Sequence, residues 1–127
     1  MGIQIQRVPA ATGGSYSDVV DISGPGRWIM VSGQVAFGPD GTVRGSMEEQ
    51  AHGCFDHIER ALAKVGGSLS HVVRITSFTT TLEDYAGFST ARAARFGAFP
   101  PASATVQVAG LLAGAQIEID AVAFIPA

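Results

Sequence analysis

The chain is poor in charge. Only 15% of its 127 residues are Asp, Glu, Lys or Arg, against 46% hydrophobic, and the mean hydropathy is positive. A soluble monomer normally carries about 25–35% charged residues on its surface. Part of this surface is therefore expected to be covered by other subunits. Positive charge is scarcer still: seven arginines and one lysine are scattered along the chain, with no basic run or aromatic-interleaved stripe. Nucleic-acid binding rests on a concentrated cationic footprint, so at a net charge of -3 no nucleic-acid partner is expected.

Cysteine is nearly absent. Cys54 stands alone, cannot form an internal bridge and gives no sign of an oxidising compartment. No apolar run approaches the ~18 residues of a membrane span, and Met1 is not followed by a basic segment and an apolar stretch. The expectation is a cytoplasmic protein with no membrane partner. His52, His57 and His71 lack zinc-site spacing. His52 and His57, five apart, fall on different sides of a helix, and all three are expected at the surface. The glycines match no phosphate-binding fingerprint. No metal site is expected.

What is present has the length of a single domain, residues 1–127, long enough to bury about two-thirds of its unfolded surface. Short strands are expected at Val19 to Ile22 and at Trp28 to Val31, the second running into Ser32 to Val35. Gly38-Pro-Asp-Gly41 has turn chemistry. Ser46 with Glu49 three residues on forms a capping-box pattern. Met47, Ala51, Cys54, Ile58, Ala61, Leu62 and Val65 then recur at helical steps, up to a stop at Gly66-Gly67. Val72 to Thr79 reads as a strand, and a second helix starts near Asp84. Its apolar stripe of Tyr85, Phe88 and Phe96 is interrupted by Arg92 and Arg95. Strands at Ala104 to Ala109 and Ile117 to Ile125 close the chain.

The order ββαβαββ makes an α+β domain in which two helices cover one face of the sheet. The last strand is apolar on both sides: Ile117, Ile119 and Ala121 on one, Val122 and Phe124 on the other, with Glu118 and Asp120. Two helices cannot cover both faces, so the second is expected to pack against copies of the same chain. Within "FPPASATVQVAGL" the small polar residues Ser103, Thr105 and Gln107 share one side of a strand. A face of that kind suits the wall of a site.

The segments "YSDVVDI", "WIMVSGQVAFGPDGTV", "VVRITSFTTTLEDYAGF", "FPPASATVQVAGL" and "IEIDAVA" together resemble the reactive-intermediate-deaminase (Rid, YjgF-like) family across almost the whole chain. The resemblance implies a chorismate-mutase-like fold and a homotrimer with a central barrel. It also implies a small-molecule ligand in each cleft between subunits. Typical members hydrolyse enamines and imines to a 2-oxo acid and ammonia, without metal or cofactor. By the same resemblance Glu118 matches the glutamate that positions the attacking water, and Tyr16 matches a cleft tyrosine. Ser32 and Gly33 match a turn lining the cleft. Ser89 stands where an asparagine is frequent, and Thr105 where some relatives have cysteine.

One position departs. Ser103 stands where deaminating members keep an arginine that grips the substrate carboxylate through a bidentate pair. Losing such a contact costs about 1.5–3 kcal/mol, which puts the standard 2-imino-acid substrates in doubt. Arg92, one helical turn beyond Ser89, reads either as a surface arginine extending to solvent or as a relocated anion anchor. The functional expectation is a hydrolase of a small enamine, imine or related metabolite. The alternative is a non-catalytic trimer that binds a small metabolite. Ribonuclease and translation-inhibitor labels in the family sit poorly with the acidic balance.

Overall fold

The computed structural model describes residues 4–127; the first three residues of the expected domain, on which the leader-segment reading bears, lie outside it. Six strands form one sheet: β1 (Ile5–Pro9), β2 (Ser17–Ile22), β3 (Gly26–Val35), β4 (Val72–Thr79), β5 (Ala102–Gln107) and β6 (Ile117–Pro126). Two helices, α1 (Met47–Ala63) and α2 (Tyr85–Phe96), lie in the connections. The spatial order is β1-β2-β5-β4-β6-β3. The α+β class is as expected, with one strand more than the sequence pattern indicated.

That extra strand is β1, and its sequence Ile-Gln-Arg-Val-Pro carries little alternation. A long-range clamp holds it instead. The Arg7 guanidinium donates to the carbonyls of Val72, Pro100 and Ser70, each at 3.0 Å. Helix α1 forms where its caps dictate. Glu49 N–H donates to Ser46 Oγ at 3.2 Å and Ser46 N–H donates to Glu49 Oε1 at 3.0 Å, closing a reciprocal capping box. Its stripe of Met47, Ala51, Cys54, Ile58 and Leu62 is buried. Val65 lies beyond the helix end and is exposed, and Gly66 takes the left-handed conformation at φ 82° that stops the helix.

The core lies between the helices and one face of the sheet, where Phe55, Phe88 and Phe96 meet Ile75, Ile117, Ile119 and Ala121. Phe55 and Phe96 stack edge to face at 5.0 Å, a favoured aromatic geometry. The opposite face has no helix. There Trp28, Met30 and Val106 are exposed, and Trp28 packs edge-on against Phe124 at 5.1 Å. A groove of about 280 Å³ on this side is lined by Val20, Ile22, Trp28, Val73, Arg74, Ala102 and Val122. Among the described residues no helix is long and apolar enough to cross a membrane.

Two irregularities in the sheet position the site. In β3 the pairing with β6 runs Val31↔Ala121 and then Gln34↔Ile119. Ser32 and Gly33 together therefore oppose Asp120 alone, a β-bulge. On the other side of the sheet, β2 touches β5 only at Ser17↔Ala102 and then diverges. The hydroxyl of Ser17 donates to Pro100 O at 2.5 Å, which pins the splaying point beside Ser103.

Candidate functional site

The candidate residues fall into two clusters. Directly paired residues on neighbouring strands share a face. Ser103 pairs with Ile75, which pairs with Ala121, and Thr105 pairs with Ser77, which pairs with Ile119. Ser103 and Thr105 thus look toward the helices. Glu118 pairs with Phe78, which pairs with Val106, and looks to the helix-free face. Within one chain the sheet separates Glu118 from Ser103.

The first cluster is Glu118 with the Ser32–Gly33 bulge. The carboxylate lies against the bare backbone of Gly33, so close that a Cβ there would stand 2.5 Å from Glu118 Oε2 and 3.0 Å from its carboxyl carbon. Glu118 is half-buried, while Ser32 and Gly33 are exposed. The Ser32 carbonyl accepts from Gln34 Nε2 at 3.0 Å. Behind the sheet the Cys54 thiol is fully buried and its Sγ donates to Ile117 O at 3.7 Å. Burial, and then the charge of Glu118, push that thiol up to about 12. It is a packed, inert group, as its place in the apolar stripe indicated. Asp120, the other acid on β6, is used locally: its Oδ1 accepts from Thr76 N–H at 3.2 Å.

The second cluster is built around Arg92. The sequence left open a surface arginine, and the structure corrects this: Arg92 is only 2% exposed. Nε donates to Ser15 Oγ at 3.0 Å, Nη1 to Ser103 Oγ at 2.9 Å and Nη2 to Tyr85 Oη at 2.9 Å. Its guanidinium carbon lies 4.9 Å from the Phe88 ring centroid, 5.1 Å from Tyr16 and 5.8 Å from Tyr85, within cation–π range of all three. The Tyr16 hydroxyl is 2.8 Å from Thr12 Oγ1, and Ser15 Oγ donates to Ser89 O at 3.3 Å. Tyr16, Ser89, Arg92 and Ser103 are thus brought together. Thr105 follows two residues along the strand, half-buried on the same face.

Ser15 and Tyr85 were missed from the sequence. Tyr85 had a usable signal: with Ser89 and Arg92 it occupies positions i, i+4 and i+7, one helix face, but it reads first as part of the apolar stripe. Ser15 had none, because its contact with Arg92 spans 77 residues. The histidines are half-buried rather than exposed. His52 lies beside Arg95 and His57 Nε2 contacts Phe37 O at 3.1 Å, on different sides of α1 as their spacing requires.

The sequence pattern of the endoribonuclease L-PSP family matches residues 5–125. The chain is 37% identical over 123 residues to Protein DfrA of Myxococcus xanthus, covering 95% of this chain and 92% of that protein. It is 31% identical over 123 residues to the 2-iminobutanoate/2-iminopropanoate deaminase of Mus musculus, covering 95% of this chain and 88% of that one. Among solved structures, RidA from the Antarctic bacterium Psychrobacter sp. PAMC 21119 matches with a TM-score of 0.74 at 33% identity, covering 98% of this chain and 100% of the other.

Proposed function

Because the chain belongs to the endoribonuclease L-PSP (Rid, YjgF-like) family, we propose that it is a cofactor-free hydrolase of a small enamine or imine. The site is a cleft completed between copies of the chain in a homotrimer. The observation that carries the reading is the Glu118 carboxylate laid against the bare backbone of Gly33. A carboxylate in that position takes a proton from water as the water oxygen bonds to the C=N carbon. The carboxyl group passes that proton to nitrogen, giving a carbinolamine. The carboxylate then takes the carbinolamine hydroxyl proton and delivers it to nitrogen as the C=O bond forms and the C–N bond breaks, releasing ammonia and a carbonyl product. The other half of the cleft, Arg92 with Tyr16, Ser89, Ser103 and Thr105, orients the substrate. Relatives bearing the name 2-iminobutanoate/2-iminopropanoate deaminase support this chemistry.

Two features support assembly: the apolar face left without a helix, and the placing of the two clusters on opposite sides of one sheet. A neighbouring copy covers that apolar face and sets its own cluster beside the complementary one.

The test is ammonia release from 2-iminopropanoate and 2-iminobutanoate, generated freshly by an amino-acid oxidase. Glu118→Gln keeps the shape and removes the base, and is expected to lower the rate by about 10²–10⁴-fold. Equal rates for the two proteins would overturn the reading. Ligand binding without turnover in either would identify a binding trimer instead.

A further inference from the structure

Among the described residues the buried Arg92 guanidinium has no anionic partner. Its three hydrogen-bond partners are the hydroxyls of Ser15, Ser103 and Tyr85, all neutral. Among the described residues the ion pairs are Arg44–Asp40, Arg95–Asp56 and Arg95–Glu59; none involves Arg92. Taking a charge out of water is costly, and an ion pair or a full set of hydrogen bonds normally offsets it. Here three of the five N–H groups are used, which leaves one on each terminal nitrogen.

The surroundings hold the charge ready rather than neutralise it. Three rings approach the guanidinium carbon, at 4.9, 5.1 and 5.8 Å, fixing its plane. The hydroxyls around it lead outward: Tyr85 is exposed, and Ser15, Tyr16 and Ser103 are half-buried. A buried cation that is preoriented, partly unsatisfied and one layer beneath a hydroxyl-lined surface fits a carboxylate, which accepts two N–H bonds from one guanidinium.

We infer that Arg92, delivered from α2 and steadied by Ser103, Ser15 and Tyr85, is a carboxylate anchor that makes this site select small 2-oxo and 2-imino acids over their neutral analogues. The inference rests on the proposed function for the identity of the reacting centre, but not for the binding of the carboxylate. Ser103 does not leave the position without an arginine: its hydroxyl holds the guanidinium of one that arrives from the neighbouring helix. Lysine would not serve in its place, because a point charge lacks the planar fork.

The experiment measures binding, which separates it from turnover. The probes are 2-oxobutanoate and its uncharged amide, 2-oxobutanamide, titrated calorimetrically into the full chain. Wild type is expected to bind the acid at least about tenfold more tightly than the amide, and to melt at a higher temperature with the acid present. Arg92→Met keeps the apolar contacts and removes the charge. It is expected to weaken the acid by about 10- to 100-fold while melting, without ligand, no lower than wild type. Arg92→Lys is expected to bind the acid almost as poorly. Glu118→Gln is expected to bind it like wild type even when turnover is lost, so failure of the hydrolase reading would leave this result standing.

Equal affinity of wild type for acid and amide would overturn the inference, as would unchanged acid affinity in Arg92→Met. So would a wild type that binds no acid at millimolar concentration. The acid–amide comparison needs only wild-type protein and decides the matter even if both variants fail to fold.

Discussion

Glu118 lies over Gly33 with no room between carboxylate and backbone for a side chain; an added Cβ would sit 2.5 Å from Oε2. Gly33→Ala is therefore expected to separate folding from activity. The clashing atoms belong to the far end of a flexible side chain, so the carboxylate turns aside and stability changes by less than about 1 kcal/mol. On the proposed function the displaced carboxylate no longer meets the attacking water, and the hydrolytic rate is expected to fall by about 100-fold. Paired measurements of melting temperature and ammonia release check this.

Cys54 gives a prediction on alkaline stability. Burial and the Glu118 charge push its thiol up to about 12 in the folded chain, while in the unfolded chain it ionises near its ordinary value of about 8.5. Between those values the unfolded state binds fewer protons, so stability falls as pH rises, by up to about 1.4 kcal/mol per pH unit. Below that window the contribution is flat. Urea unfolding across this range should show the slope, and Cys54→Ala should flatten it. At pH 8 the native thiol should resist iodoacetamide and the urea-unfolded thiol should react fully, as read by intact mass.

The capping box of α1 predicts the opposite trend in acid. Ser46→Ala removes the hydroxyl that Glu49 N–H donates to and should cost about 1 kcal/mol at neutral pH. Glu49 is held below its ordinary value by the Ser46 backbone N–H and then the Ser46 side chain. Its contribution is therefore present above the unfolded-state value and is lost as pH falls through the lowered folded one. Glu49→Gln should remove that part of the acid dependence, measured by urea titration from pH 7 downward.

The helices and central strands were legible because their signals are local. Ser46 and Glu49 sit three residues apart, the stripe of α1 repeats every turn, and β4 spans Val72–Thr79 as its alternation indicates. Strand β1 was not legible, since Arg7 holds it through carbonyls 63 to 93 residues away. The candidate site divides the same way. Glu118, Gly33 and Ser103 were visible through the family resemblance. The burial of Arg92 was not, because a charged residue on a helix gives no sign of the hydroxyls that await it: Ser15 lies 77 residues off and Ser103 lies 11. Nor can the pairing register, which sets Glu118 and Ser103 on opposite faces, be read from either strand alone.

That opposition gives the molecule an unusual relation between folding and chemistry. No rotamer change carries Glu118 through a hydrogen-bonded sheet to the side where Ser103 and Arg92 stand. A single chain holds its core, its caps and both polar clusters, yet keeps Glu118 and Arg92 on opposite sides of the sheet, out of each other's reach. If the halves meet between copies, rate per chain becomes a function of protein concentration. A compound that merely wedged two copies apart would then silence the site without touching Glu118 or Arg92.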